Sequence, residues 1–159
     1  MTWQGTLPNP AATHALGRRL GHAAQAGWVV SLGGPLGSGK TTLAQGIAEG
    51  LGVAERLTSP TFVFESRYKG RLVLHHFDLY RFGDAPPEEE LIEIGLMEAL
   101  CGDGLCVIEW ADRLAAGVLA DCLRLTFAHA PTGRVVAVES AGAQYQPLVE
   151  ELHREHLGD

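Results

Sequence analysis

Lysine is almost missing from this chain: of its 12 basic side chains only Lys40 and Lys69 are lysines. Against 19 acidic residues this leaves a formal net charge of −7. A protein that grips a nucleic acid backbone unaided presents a basic face. This composition does not provide one, although it leaves open a local basic patch or nucleic acid held by a partner. Paired cysteines are missing too. Cys101, Cys106 and Cys122 are odd in number and contain no C-x-x-C spacing, which speaks against a disulfide framework or a zinc site and for buried free thiols. No apolar run reaches the roughly 18–20 residues of a membrane span. The N-terminus lacks the basic segment and apolar core of a signal peptide. These absences together point to a cytoplasmic protein. Its 159 residues, 46% of them hydrophobic, suit one domain, residues 1–159, with a sizeable core.

What the chain does have is Gly34-Pro35-Leu36-Gly37-Ser38-Gly39-Lys40-Thr41, a complete G-x-x-x-x-G-K-[ST] phosphate-binding loop. Glycines let the backbone wrap an anion without Cβ clashes, and the wrapped N–H groups form a nest for the β-phosphate. Lys40 adds a compact positive charge for the β- and γ-oxygens. Thr41 offers a hydroxyl to Mg²⁺, and the helix that follows points its positive end at the same phosphates. The flanks agree. Trp28 to Leu32 reads as a buried strand, and Ala44, Ile47, Ala48 and Leu51 lie at helical spacing.

The remaining segments alternate strands and helices. Thr2 to Leu7 reads as a strand, and Asn9-Pro10 as the N-cap and first residue of a helix with an apolar stripe at Ala12, Leu16, Leu20, Ala23 and Ala24, ended by Gly27. Phe62–Tyr68 and Arg71–Phe77 flank Lys69-Gly70 as a hairpin. Glu88-Glu89-Glu90 opens a helix that carries Leu91, Ile94 and Met97–Leu100, the acids serving the positive end of its dipole. Leu105–Ile108 is a central parallel strand. Cys122–Phe127 and Arg134–Val138 form a second hairpin about Pro131-Thr132-Gly133, and Gln144–Leu157 a C-terminal helix. The expected fold is α/β: a single P-loop NTPase-like domain, its mixed, mostly parallel sheet carrying helices on both faces plus β-hairpins.

A phosphate loop needs a carboxylate to manage Mg²⁺, usually at the end of a neighbouring strand. Asp78 ends the run Leu72–Phe77 and Glu109 ends Leu105–Ile108, where ligand-facing groups of an open parallel sheet collect. One is expected to bind Mg²⁺ directly or through water, and the other to orient or deprotonate a water. His75 and His76 are adjacent and face opposite sides of a strand, a poor spacing for joint metal binding. One suits a packed or solvated position, the other a place near the nucleotide. Trp110 suits stacking on a base or partner as well as a core or surface anchor. Arg67 and Arg81 suit phosphate contact or surface ion pairing.

Taken together, Gly34 to Thr42, Leu51-Gly52, Ser59-Pro60-Thr61-Phe62, His76-Phe77-Asp78-Leu79-Tyr80-Arg81, Gly95 and Ile108-Glu109-Trp110 resemble one family, TsaE (YjeE), from about residue 10 to residue 140. The loop alone is shared by many NTPases. H-F-D-L-Y-R after S-P-T-F and before E-W is far more specific. One departure is Pro35, where the family usually has Asp, so that both a backbone N–H and a carboxylate are missing from the loop. The resemblance implies a small P-loop ATPase that binds ATP and Mg²⁺ and hydrolyses weakly alone. Its implied partners are TsaB and TsaD, which transfer threonylcarbamoyl to adenosine 37 of ANN-decoding tRNAs, and its implied task is to energise or reset that complex. It implies that Lys40 and Thr41 hold phosphate and magnesium, that Thr42 flanks them, that Asp78 and Glu109 are the acids, that Thr61 senses the nucleotide and that Trp110 belongs to the site.

Three further readings use the same loop. A small-molecule kinase would bring an arginine-rich lid, whereas the arginines here are scattered. A non-catalytic nucleotide-sensing module would not need both Asp78 and Glu109. A GTPase would carry N-K-x-D, which this chain lacks.

Overall fold

The computed structural model describes residues 1–57 and 65–156. Seven strands form one sheet: β1 (Thr2–Leu7), β2 (Val29–Gly33), β3 (Glu65–Lys69), β4 (Val73–Asp78), β5 (Leu105–Glu109), β6 (Cys122–His129) and β7 (Arg134–Ala141). They lie in the order β1-β7-β6-β2-β5-β4-β3. The four central strands β6, β2, β5 and β4 are mutually parallel. β3 at one edge and β7 near the other run against them, and β1 pairs antiparallel with β7. The sheet is therefore mixed and mostly parallel by strand direction, with both expected hairpins at its flanks. In the first, β3 is described from Glu65 on; residues 62–64 of the expected strand lie outside the described residues.

Helices cover both faces. α1 (Pro10–Ala23), α2 (Lys40–Gly50) and α5 (Gln146–His156) lie on one; α3 (Glu88–Glu93) and α4 (Leu96–Leu100) lie on the other. Asn9 caps α1 as expected, its Oδ1 accepting from the Ala12 N–H at 2.9 Å with Pro10 in the first turn. The helix ends at Ala23 rather than at Gly27, which lies beyond it at φ +83°. The agent is Arg71, whose guanidinium donates to the carbonyls of Gly21, His22 and Ala24 and so satisfies the free end of the helix.

The helix expected from Glu88 to Leu100 is two pieces. Gly95, in the left-handed region at φ +84°, separates α3 from α4. The C-terminal helix is entered through a 3-10 turn at Ala143–Tyr145. Its anchor is Tyr145, fully buried, whose hydroxyl accepts from the Val29 N–H at 3.0 Å, while Arg19 pairs with Glu155 at 2.7 Å. Of the three thiols, Cys106 and Cys122 are buried as expected and Cys101 is exposed. Burial pushes the Cys106 thiol up to about 12, so it is inert at neutral pH.

The tightest packing joins α1 to α2. Gly17 and Gly21 on one helix face Gly46 and Gly50 on the other. A Cβ on Gly46 would stand 2.2 Å from the His14 carbonyl oxygen and one on Gly21 2.3 Å from that of Ile47. Backbone lies against backbone, which only glycine permits. The core on this face runs from Leu7 through Leu20, Leu32, Ile47, Val107 and Phe127 to Leu152. It fixes where α2, and with it the glycine-rich loop, begins.

Candidate functional site

The loop leaves β2 at Gly33, between β5 and β6, and delivers the chain into α2 at Lys40. Gly34, Gly37 and Gly39 all have positive φ (131°, 72° and 110°). At Gly34 a Cβ would also meet the Phe127 carbonyl oxygen at 2.7 Å, so backbone space as well as conformation demands glycine there. Pro35 contributes its carbonyl, which accepts from the Ser38 N–H at 3.2 Å. Leu36 is exposed at the tip. Lys40 is buried and donates from Nζ to the carbonyls of Gly34 (2.7 Å) and Pro35 (2.8 Å). Burial lowers its pKa, against the opposing pull of Glu109, Asp112 and Asp78.

Strand register places the acids. Asp78 and Glu109 are direct partners at the carboxyl ends of the parallel strands β4 and β5, and alternation points both to the α2 face. Glu109 is 2% exposed, and its two oxygens have different partners. Oε1 accepts from the Thr41 hydroxyl at 2.9 Å, and Oε2 lies 2.5 Å from His76 Nε2. His76 is fully buried, and its Nδ1 has no partner among the described residues. Burial raises the Asp78 pKa; the Tyr80 N–H bonded to it lowers it, and the Glu109 charge adds to the rise. Two carboxylates and a hydroxyl thus converge beside a lysine ammonium in a cleft of about 310 Å³ that also takes in Thr42, Tyr80 and Trp110.

Trp110 follows Glu109 in a left-handed conformation, φ 60° and ψ 35°, a strained state for a tryptophan. The strain turns its ring under Lys40, whose Nζ stands 4.0 Å from the ring centroid. Tyr80 packs on the same ring at 5.1 Å, and the Arg113 guanidinium lies 5.4 Å from it.

Of the residues singled out from sequence, the loop residues 34–41, Thr42, Asp78, Glu109 and Trp110 come together here. Thr61 lies outside the described residues. Arg67 is drawn away to Glu65 at 2.6 Å as a surface pair, and Arg81 is exposed. His75 bonds Glu65 instead of joining His76. Sequence reasoning missed His76 as the partner of Glu109, and it missed Tyr80 and Arg113. Strand alternation separates His75 from His76, but it takes the pairing of β4 with β5 to say which one meets Glu109.

A strand, glycine-rich loop and helix set at the carboxyl end of a doubly covered sheet make this a P-loop NTPase-like α/β protein. Residues 7–136 match the family described as threonylcarbamoyl adenosine biosynthesis protein TsaE, and the chain belongs to that family. It is 36% identical over 148 residues to the Bacillus subtilis tRNA threonylcarbamoyladenosine biosynthesis protein TsaE, covering 92% of this chain and 90% of that one. It is 44% identical over 100 residues to the protein of the same name from Treponema pallidum, covering 63% and 72%. The crystal structure of Bacillus subtilis YdiB superposes with a TM-score of 0.72 at 32% identity, over 98% of this chain and 95% of that one. No helix among the described residues is long and apolar enough to cross a membrane.

Proposed function

We propose that this chain binds ATP and Mg²⁺ and hydrolyses ATP, weakly alone and faster with its partners. Through that hydrolysis it supports threonylcarbamoylation of adenosine 37 in ANN-decoding tRNAs in the cytoplasm. The partners are TsaB and TsaD homologues, whose complex it energises or resets. The observation that carries the reading is the Thr41–Glu109 hydrogen bond with Asp78 in register beside it.

This donor set suits Mg²⁺, a hard ion that takes one or two carboxylates and draws its other ligands from phosphates and water. No group of three or more His, Cys, Asp or Glu side chains able to hold a metal occurs among the described residues. The protein supplies part of a shell, which accords with an ion that arrives with a nucleotide. Bound there, it would neutralise charge on the β- and γ-phosphate oxygens. Thr41 would hold it together with one of the two acids, while the other acid orients a water or takes its proton. His76 fixes one oxygen of Glu109, so the carboxylate cannot swing away from Thr41. Lys40 exchanges the Gly34 and Pro35 carbonyls for phosphate oxygens, and the N–H groups of residues 36–41 receive the β-phosphate. Pro35 gives no N–H to that nest. Thr61 is assigned the nucleotide-sensing role. A net charge of −7 fits a subunit that reaches tRNA through the complex.

The test is reconstitution with TsaB, TsaD, the threonylcarbamoyl-adenylate synthase, ANN-decoding tRNA and ATP, with mass spectrometry following multiple-turnover formation of the modified adenosine. Turnover should require this chain and be lost with Lys40→Ala. Turnover indifferent to the chain, in a system otherwise competent, overturns the reading and directs the search to phosphorylated metabolites.

A further inference from the structure

Past the two acids, the chains that leave β4 and β5 separate. Asp78 and Glu109 are register partners, and the Leu79 N–H still donates to the Glu109 carbonyl at 3.1 Å. Beyond that point one residue joins the two chains again. The Arg113 carbonyl accepts from the Ala85 N–H at 2.7 Å, and the Arg113 guanidinium donates from Nη1 to the Phe82 carbonyl. The same guanidinium lies 5.4 Å from the Trp110 ring centroid and 6.0 Å from that of Tyr80. The Arg113 N–H donates to the Trp110 carbonyl at 3.0 Å. Among the described residues only Ala85 and Trp110 have a positive φ without being glycine, 49° and 60°. Arg113 is hydrogen-bonded through its backbone to both.

We infer that Arg113 is a positioning residue that acts on Lys40 through Trp110. The inference rests on the nucleotide reading proposed above and deepens it. A left-handed backbone at a residue with a large side chain persists only where its surroundings hold it. Three groups surround the Trp110 ring: Lys40 Nζ at 4.0 Å, the Tyr80 ring at 5.1 Å and the Arg113 guanidinium. Lys40 must give up its present partners, the Gly34 and Pro35 carbonyls, when it turns to phosphate. Tyr80 is half exposed. Arg113 is the member whose anchor, the Phe82 carbonyl, lies away from the phosphate loop and is unaffected by nucleotide. Arginine suits the task because its planar group can donate from an edge while its face stays on a ring, which an ammonium cannot do. The ring then forms a fixed floor beside Lys40, and the ammonium meets the phosphates from a set position. The same stack reaches the other acid, since the Tyr80 N–H donates to Asp78 Oδ1 at 2.9 Å.

The experiment is a double-mutant cycle in steady-state ATP hydrolysis by the full chain with TsaB and TsaD. It combines Arg113→Ala with Trp110→Gly, which adopts the left-handed conformation freely and has no ring to place. Arg113→Ala keeps the backbone bonds to Ala85 and Trp110, so the two loops stay joined. In the wild-type background it should lower kcat/KM for ATP about tenfold, the scale of a desolvated cation–π contact. In the Trp110→Gly background the same substitution should change kcat/KM by less than about twofold. An equal loss in both backgrounds would make Arg113 a direct phosphate contact or a support of the fold, and would overturn the inference. So would an absence of loss in the wild-type background, or full rescue by Arg113→Lys, which keeps the charge and loses the plane. A second readout needs no nucleotide: acrylamide quenching of tryptophan fluorescence, with the share of Trp110 taken as the difference from Trp110→Phe. Arg113→Ala should make Trp110 more accessible to the quencher, and unchanged quenching sinks the clamp whatever the kinetics. If the wild-type chain hydrolyses no ATP while Arg113→Ala still frees the ring, the clamp stands and the nucleotide reading falls.

Discussion

On one face of the sheet α1, α2 and α5 reach every strand from β1 to β5. On the other, α3, α4 and the chain from Leu114 to Leu119 cover the half built on β4, β5 and β2, together with Cys122 at the start of β6 and Ala141 at the end of β7. Beyond that half, Arg124, Thr126 and Ala128 of β6 and Thr2, Gln4 and Thr6 of β1 stand exposed. The buried ionisable groups Lys40, His76 and Glu109 all lie on the first face. A buried charge is tolerable only where its partners are held in fixed geometry, and helices packed glycine to glycine provide that. The thin face carries no such demand. Its helices are short, and its broken turn at Gly95 is tolerated.

The sharpest way to break the contrast is Gly46→Val. Its Cβ must displace the α1 backbone, so we expect a loss of about 3 kcal/mol or more and a melting temperature lower on the order of 10 °C, read by thermal denaturation. Glu109→Gln keeps the size and the bond from Thr41 but removes the charge. ATP binding should persist while turnover falls about 10²-fold, near 2.7 kcal/mol in the barrier; unaltered turnover would remove Glu109 from the reaction. On the thin face, Gly95→Ala forces alanine into a left-handed conformation. It should cost about 1 kcal/mol with kcat unchanged, measured by urea unfolding and steady-state hydrolysis.

Asp78→Asn should do the opposite of most substitutions. Burial raises the Asp78 pKa above its ordinary 3.8, the Tyr80 N–H lowers it, and the Glu109 charge adds to the rise, so the ionised form is disfavoured in the folded state. That penalty is complete at neutral pH and fades as pH falls through the raised pKa toward the unfolded value. Asparagine removes it, and the melting temperature of the free protein should rise by roughly 2 °C at pH 7, the gain vanishing below about pH 4. Nucleotide turnover should fall at the same time. The smallest effect belongs to the bare half: Arg124→Gln breaks an exposed pair with Glu139 and should shift stability by no more than about 0.5 kcal/mol.

Much of this was readable in advance where local chemistry decides. The loop and its two flanks follow from phosphate geometry, both hairpins from their turns, and the ends of β4 and β5 from runs that stop at an acid. What escaped depends on contacts between distant residues. Gly17, Gly21, Gly46 and Gly50 look like weak points of two helices until the helices are set together. The end of α1 is decided by Arg71, some 50 residues away in sequence. Gly95 sits inside an acceptable helical period, and only its φ shows the break. The strained Trp110 carries no local signal, because tryptophan disfavours that conformation and only the surrounding rings and cations hold it there.

The glycine seam between α1 and α2 also has a mechanical meaning. Side chains between two helices act as a compliant layer, since rotamers can shift and absorb a small displacement. Here that layer is missing, with backbone against backbone from Gly17 to Gly50. A load applied to α1 is therefore passed undiminished to α2 and to the loop at its head, and a grip on the loop stiffens the N-terminal helix in return.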